Sequence, residues 1–139
     1  MAAAVKFQKF VRDLGLGVHN LDTGALKVYL TNAAPNAATH AVKADLADIA
    51  AGNGSVAGGA DITGVYAESG GTGTLTATDV TFTASGGTVG PFRYAVLYND
   101  TPTSPADPLI QYWDYGAAIT LADGETFTVD FGASVLTLT

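Results

Sequence analysis

From Ile62 to its end the chain is written in short runs of alternating apolar and polar residues, broken by glycine and proline. A period of two can be buried only by a pleated strand, so this pattern constrains the fold more than any other feature. The runs fall at 62–67, 73–78, 79–84, 92–99, 109–115, 117–121, 126–131 and 134–138, with glycine clusters at 70–73 and 86–90 and a proline-rich stretch from Thr101 to Pro108. The clearest is Thr126 to Phe131, which turns Phe127, Val129 and Phe131 inward; Ala122-Asp123-Gly124-Glu125 is the turn joining it to 117–121.

The first sixty residues are less uniform. Phe7, Phe10, Val11 and Leu14 share one face of a short helix that Gly15 and Gly17 should stop. A helix this short is marginal alone and must dock, on its own domain or on a neighbouring subunit. Leu26, Val28 and Leu30 alternate with Lys27, Tyr29 and Thr31 as a half-buried strand. Residues 33–44 read as a loop, and Asp45 to Ala51 as one weak helical turn. The sum is an all-β fold, an antiparallel β-sandwich or jelly roll of about eight strands with a short N-terminal helix. One domain spans 1–139, divided into an N-terminal arm (1–17) and a sandwich body (18–139).

Two runs are apolar on both faces. Phe92, Tyr94, Val96 and Tyr98 line one side of the first, Ala95 and Leu97 the other; Leu109 to Tyr115 has the same character. Such strands are central in a sheet or covered by a partner, and large aromatics are most often buried. The expected core aromatics are therefore Phe92, Tyr94, Tyr98, Trp113, Phe127 and Phe131.

Charge is sparse and lopsided. Only 14% of residues are charged, with a net charge of −7. Five of the six basic residues (Lys6, Lys9, Arg12, Lys27, Lys43) lie in the first 43 positions beside Asp13 and Asp22, whereas Arg93 stands alone against eleven acids thereafter. An acidic body repels phosphate backbones, so nucleic acid is a poor partner. The basic segment could meet an acidic surface on another protein or remain a solvated arm. No run approaches the roughly 20 apolar residues of a membrane span. The N-terminus lacks the basic region and apolar core of a signal peptide.

Catalytic constellations are not legible. There is no cysteine, no serine sits in a nucleophile elbow, and His19 and His40 read as surface or capping histidines. No zinc or EF-hand spacing occurs, which leaves Asp123 as a weak calcium candidate. Gly70-Gly71-Thr72-Gly73 lacks the lysine and helix of a phosphate loop, and no cofactor is expected. Asp114 beside Trp113 is the best candidate for a carbohydrate contact. No enzymatic activity is expected.

The run Phe7 to Leu21, followed by Leu26 to Pro35, resembles the opening of a family of small tailed-phage virion proteins. Ile49 to Gly54, Gly90 to Asp100, Leu109 to Gly116 and Ile119 to Phe127 extend the likeness over nearly the whole chain, more loosely between Gly58 and Thr83. Size and fold class also resemble the jelly-roll cement (decoration) proteins of short-tailed phage heads. The resemblance implies a structural protein made in the host bacterial cytoplasm. It would bind the major capsid protein on the outer surface of the virion, form a homodimer and clamp neighbouring shell subunits. It transfers no catalytic motif. The contact surface expected on physical grounds is Lys6, Phe7, Lys9, Phe10 and Arg12, so removal of residues 1–13 should leave a folded sandwich that no longer binds. A glycan-binding head or tail appendage is the alternative.

Overall fold

The structure, a computed structural model, describes residues 3–139. Ten strands and one helix follow in the order β1 (Ala4–Lys6), α1 (Gln8–Gly15), β2 (Leu26–Thr31), β3 (Ala60–Asp61), β4 (Gly64–Ser69), β5 (Thr72–Ala77), β6 (Val80–Thr83), β7 (Val89–Asn99), β8 (Leu109–Leu121), β9 (Thr126–Val129) and β10 (Leu136–Leu138). A five-stranded sheet, β1-β8-β7-β2-β3, faces a three-stranded sheet, β10-β5-β4, and a two-stranded one, β6-β9. Every pairing is antiparallel. The chain is all-β, a sandwich with a short helix, and among the described residues no helix is long and apolar enough to cross a membrane.

The register explains the two-faced strands. Val28 lies opposite Leu97, Leu30 opposite Ala95, and Ala95 opposite Trp113, so these side chains share the face that meets the smaller sheets. On the reverse face Tyr29, Val96 and Tyr112 form one row, with Tyr98 beside Lys27 and Tyr94 beside Thr31. The segment between β2 and β3 covers that reverse face. The Tyr29 hydroxyl donates to the Leu46 carbonyl at 3.0 Å and the Tyr98 hydroxyl to the Gly58 carbonyl at 2.7 Å. Leu46 is fully buried, and the Lys43 ammonium sits 4.8 Å from the Tyr29 ring centroid while pairing with Asp48. A small, polar segment thus acts as a second layer. Gly59 permits its close return: φ is +81°, and a Cβ there would collide with the Val28 carbonyl and the Tyr29 backbone.

Several expectations are revised. The runs 109–115 and 117–121 are one strand, β8, bent at Gly116 with φ +86°. The 122–125 turn exists, closed by Glu125 N–H to the Ala122 carbonyl. It sends the chain from one sheet to another, because β9 pairs with β6 and not with β8. The helical turn at 45–51 is replaced by a 3-10 turn at Lys43–Asp45, where the Asp45 carboxylate accepts from the Ala41 and Val42 N–H groups. β1 and β3 are too short for a period to show in the sequence.

The division into arm and body does not survive. β1 pairs with β8 through Ala4–Trp113, Val5–Tyr112 and Lys6–Gln111, and α1 docks behind it. Residues 4–15 are an edge strand and a packed helix of the same sandwich.

Candidate interaction surface

The N-terminal segment is held from both sides of its backbone. Phe7 occupies the N-cap in extended conformation, and its N–H donates to the Ile110 carbonyl at 3.0 Å. The Gln8 N–H reaches the Ala37 carbonyl, so α1 starts where β1 runs out of partner. The helix ends in a Schellman motif: the Gly17 N–H donates to Leu14 and the Val18 N–H to Asp13, with Gly17 at φ +75°. The glycine stop read from the sequence is therefore real and tightly specified.

This geometry divides the five expected contact residues. Phe7 and Phe10 are 0% and 1% exposed. Phe7 packs on Tyr112 at 5.3 Å and Phe10 edge-on to His19 at 5.1 Å, so neither ring can dock on a partner. Their apolar stripe belongs to this chain's own core. Lys6 and Arg12 are exposed and Lys9 is half-buried. Arg12 holds the buried carboxylate of Asp13 through Nη2 at 2.8 Å, and no carboxylate pairs with Lys6 or Lys9 among the described residues.

The outward apolar residues of this segment lie off the inward helical stripe or, like Val11, on the side of it that the period assigns to the core. Of the large hydrophobic side chains that stand exposed, Val5 (40%), Val11 (56%) and Leu16 (72%) lie on this segment. Val11 fits the helical period but points away from the core, because Phe10 and Asp13 take the buried face. Once Phe7 is fixed as the N-cap, the phase of the buried face could have been read from Phe10. A buried aspartate on that face gives no apolar signal. The segment presents valine, leucine and lysine outward on a protein of net charge −7.

Behind the helix lies a polar contact that has no signature in residue type or spacing. His19 is buried, and its Nδ1 is 3.2 Å from the Asn99 amide nitrogen. Asn99 Oδ1 accepts from the Thr101 N–H at 3.0 Å, which orients the amide as a donor toward His19. Neutral His19 therefore carries its proton on Nε2. That atom and Asp13 Oδ2 are buried without a partner. Burial lowers the His19 pKa, and the nearby Asp13 carboxylate opposes the shift. His19 also borders an open cleft of about 560 Å³ between Leu14, Leu21, Tyr66 and Leu138. His19 is therefore not a surface histidine. His40 staples its own loop, accepting from the Asn36 N–H at 3.0 Å.

The expected core aromatics are buried, with one exception in degree: Phe92, Tyr94, Tyr98, Trp113 and Phe131 are buried and Phe127 is half-buried. Phe92 meets Phe127 at 4.9 Å and Trp113 meets Phe131 at 5.6 Å, which joins the large sheet to the β6-β9 layer. Trp113 is 3% exposed, and Asp114 is clamped by Arg93 at 2.8 and 3.1 Å. The pair therefore offers no stacking platform for a sugar. Asp123 staples a turn by accepting from the Gly86 N–H, and among the described residues no group of three or more His, Asp and Glu side chains is placed to hold a metal ion. Comparison of the chain with protein-family models, with curated proteins and with solved structures finds no match.

Proposed function

We propose that this chain is a capsid decoration protein that binds the outer surface of a phage head shell and stabilises it by bridging neighbouring capsid subunits. The observation that carries the reading is the accessible surface of the N-terminal segment, where Val5, Val11 and Leu16 stand exposed and Lys6 and Lys9 have no carboxylate partner among the described residues. That segment suits a partner surface with apolar ground and carboxylates. The sequence resemblance to small tailed-phage virion proteins supports the same reading, as does a stiff two-layer fold without a legible catalytic constellation. Many copies of a rigid module, each contributing modest contact energy, reinforce a shell through avidity. An acidic body keeps the particle exterior soluble, and a homodimer would double the contacts per bound unit.

No observation favours the glycan-binding alternative, because Trp113 is buried and Asp114 is engaged. The test is co-sedimentation of the purified protein with mature heads stripped of decoration. Saturable binding at fixed stoichiometry, with heads that survive more heat, is the expected result. Absence of binding refutes the reading.

A further inference from the structure

β1 ends the five-stranded sheet and β10 ends the three-stranded one. Both border a gap of about 320 Å³ lined by Ala4, Lys6, Phe10, Gln111 and the 134–138 segment. We propose that this gap is a strand-accepting groove that takes an extended segment of a shell subunit bearing a carboxylate opposite Lys6. The identity of the occupant rests on the decoration reading above.

The backbone pattern prepares both walls. Phe7 N–H donates to Ile110, and hydrogen bonding alternates along an antiparallel pair, so Val5 also bonds to β8. Ala4 and Lys6 then turn their N–H and C=O groups away from β8, toward the open side. On the other wall, the two-residue Gly70-Gly71 turn makes Ser69 and Thr72 the first bonded pair of the β4-β5 hairpin. Gly73 and Leu75 therefore bond to β10, opposite Leu138 and Leu136, which leaves the N–H and C=O of Thr137 facing outward. An incoming strand finds unpaired backbone on each side.

The gap is also preformed. Gln111 Nε2 donates to the Val135 carbonyl at 2.7 Å, a buried bond that ties the large sheet to the β10 segment beneath the opening. A contrasting edge shows what a closed one looks like. On β4 the outward N–H of Tyr66 is occupied by Asp22 Oδ1 at 3.1 Å, so a side chain blocks strand addition there. Among the described residues, β1 has no such blocker. Its outward charge is Lys6, a common guard on strand edges, which discourages indiscriminate pairing and admits a strand that brings a carboxylate. Among the described residues Lys6 is the one charged side chain lining the gap, and no carboxylate neutralises it.

Two substitutions test the groove, one through backbone and charge together and one through charge alone. Lys6→Pro removes the outward N–H together with the charge but leaves the β8 ladder intact, since proline is tolerated where the N–H faces away from the sheet. Lys6→Glu keeps the N–H and reverses the charge. Each should weaken binding to stripped heads by about tenfold or more, the size expected for one charge-assisted hydrogen bond. Hydrogen-exchange mass spectrometry should show peptides spanning 3–7 and 135–139 protected in the bound state, with the unfolding midpoint of Lys6→Glu unchanged. If the unmodified protein binds heads but neither peptide gains protection, or both variants bind as it does, the groove is not the contact and the decoration reading stands without it. If the unmodified protein does not bind heads at all, the reading fails and this assignment of the occupant fails with it.

Discussion

Replacing Phe10 with alanine should cost this protein much of its stability, although the residue lies on a short helix near the chain terminus. The ring is 1% exposed, belongs to the continuous core and packs edge-on against His19. Truncating a buried phenylalanine costs about 3–5 kcal/mol, the lost transfer energy plus that of the cavity left behind. A domain of this size has about 5–15 kcal/mol in total. The His19 ring, already short of one hydrogen bond at Nε2, would then border the new void. Urea unfolding followed by far-UV circular dichroism should show a lower midpoint at unchanged slope, and the thermal midpoint should fall by about 10–20 °C. The neighbouring Val11→Ser, at a side chain 56% exposed, should stay within about 0.5 kcal/mol of the parent. A loss below about 1 kcal/mol for Phe10→Ala, or equal losses at both positions, would refute the claim that the segment is core and not arm. The same reasoning predicts that removal of residues 1–13 yields a destabilised chain, since it deletes an edge strand and two buried phenylalanines.

Other outcomes follow from single contacts. Burial lowers the folded-state pKa of His19, so the unfolded chain binds the extra proton first. Its contribution is fully present above the unfolded value of about 6.5 and is lost as pH falls below it. Protonation of Nδ1 would also set two donors face to face at Asn99. His19→Gln should flatten the stability profile between about pH 7 and 5, and an unchanged slope in that window would place the titration elsewhere. The Asp45 and Asp114 carboxylates, held low by backbone N–H groups and by Arg93 respectively, lose their contributions only in a separate, more acid window. Gly59→Ala should destabilise by more than about 1 kcal/mol, because φ is +81° and the new Cβ meets the β2 backbone; tolerance would mean that the cover over β2 is looser than described. Trp113 should emit at short wavelength and resist acrylamide quenching, and quenching comparable to free indole would contradict its burial.

What could be read from the sequence was whatever repeats with a period. The strands from β4 onward, the Gly17 stop and the aromatic core all follow from alternation or from glycine chemistry. Three things do not. β1 and β3 are two or three residues long and carry no pattern. The cover over the tyrosine face is made by side-chain-to-carbonyl bonds such as Tyr29 to Leu46, which composition cannot reveal. The orientation of α1 departs from its apolar period because a buried Asp13, neutralised by its neighbour Arg12, occupies a position that apolar periodicity assigns to solvent. Of the five residues expected as a contact surface, Lys6, Lys9 and Arg12 keep solvent access while the Phe7 and Phe10 rings are buried. The outward Val5, Val11 and Leu16 became visible only once the phase of the helix was fixed by the Phe7 N-cap.

Binding of the N-terminal segment to a capsid shell remains the proposal on which the functional reading depends. It is tested most directly by co-sedimentation isotherms on stripped heads, with the parent protein beside the double variant Val11→Ser/Leu16→Ser, which leaves the buried core untouched. Saturation at fixed stoichiometry is expected for the parent and at least about tenfold weaker binding for the variant, about 1.4 kcal/mol for the lost apolar contact. Superimposable isotherms, or no binding by the parent, would contradict it.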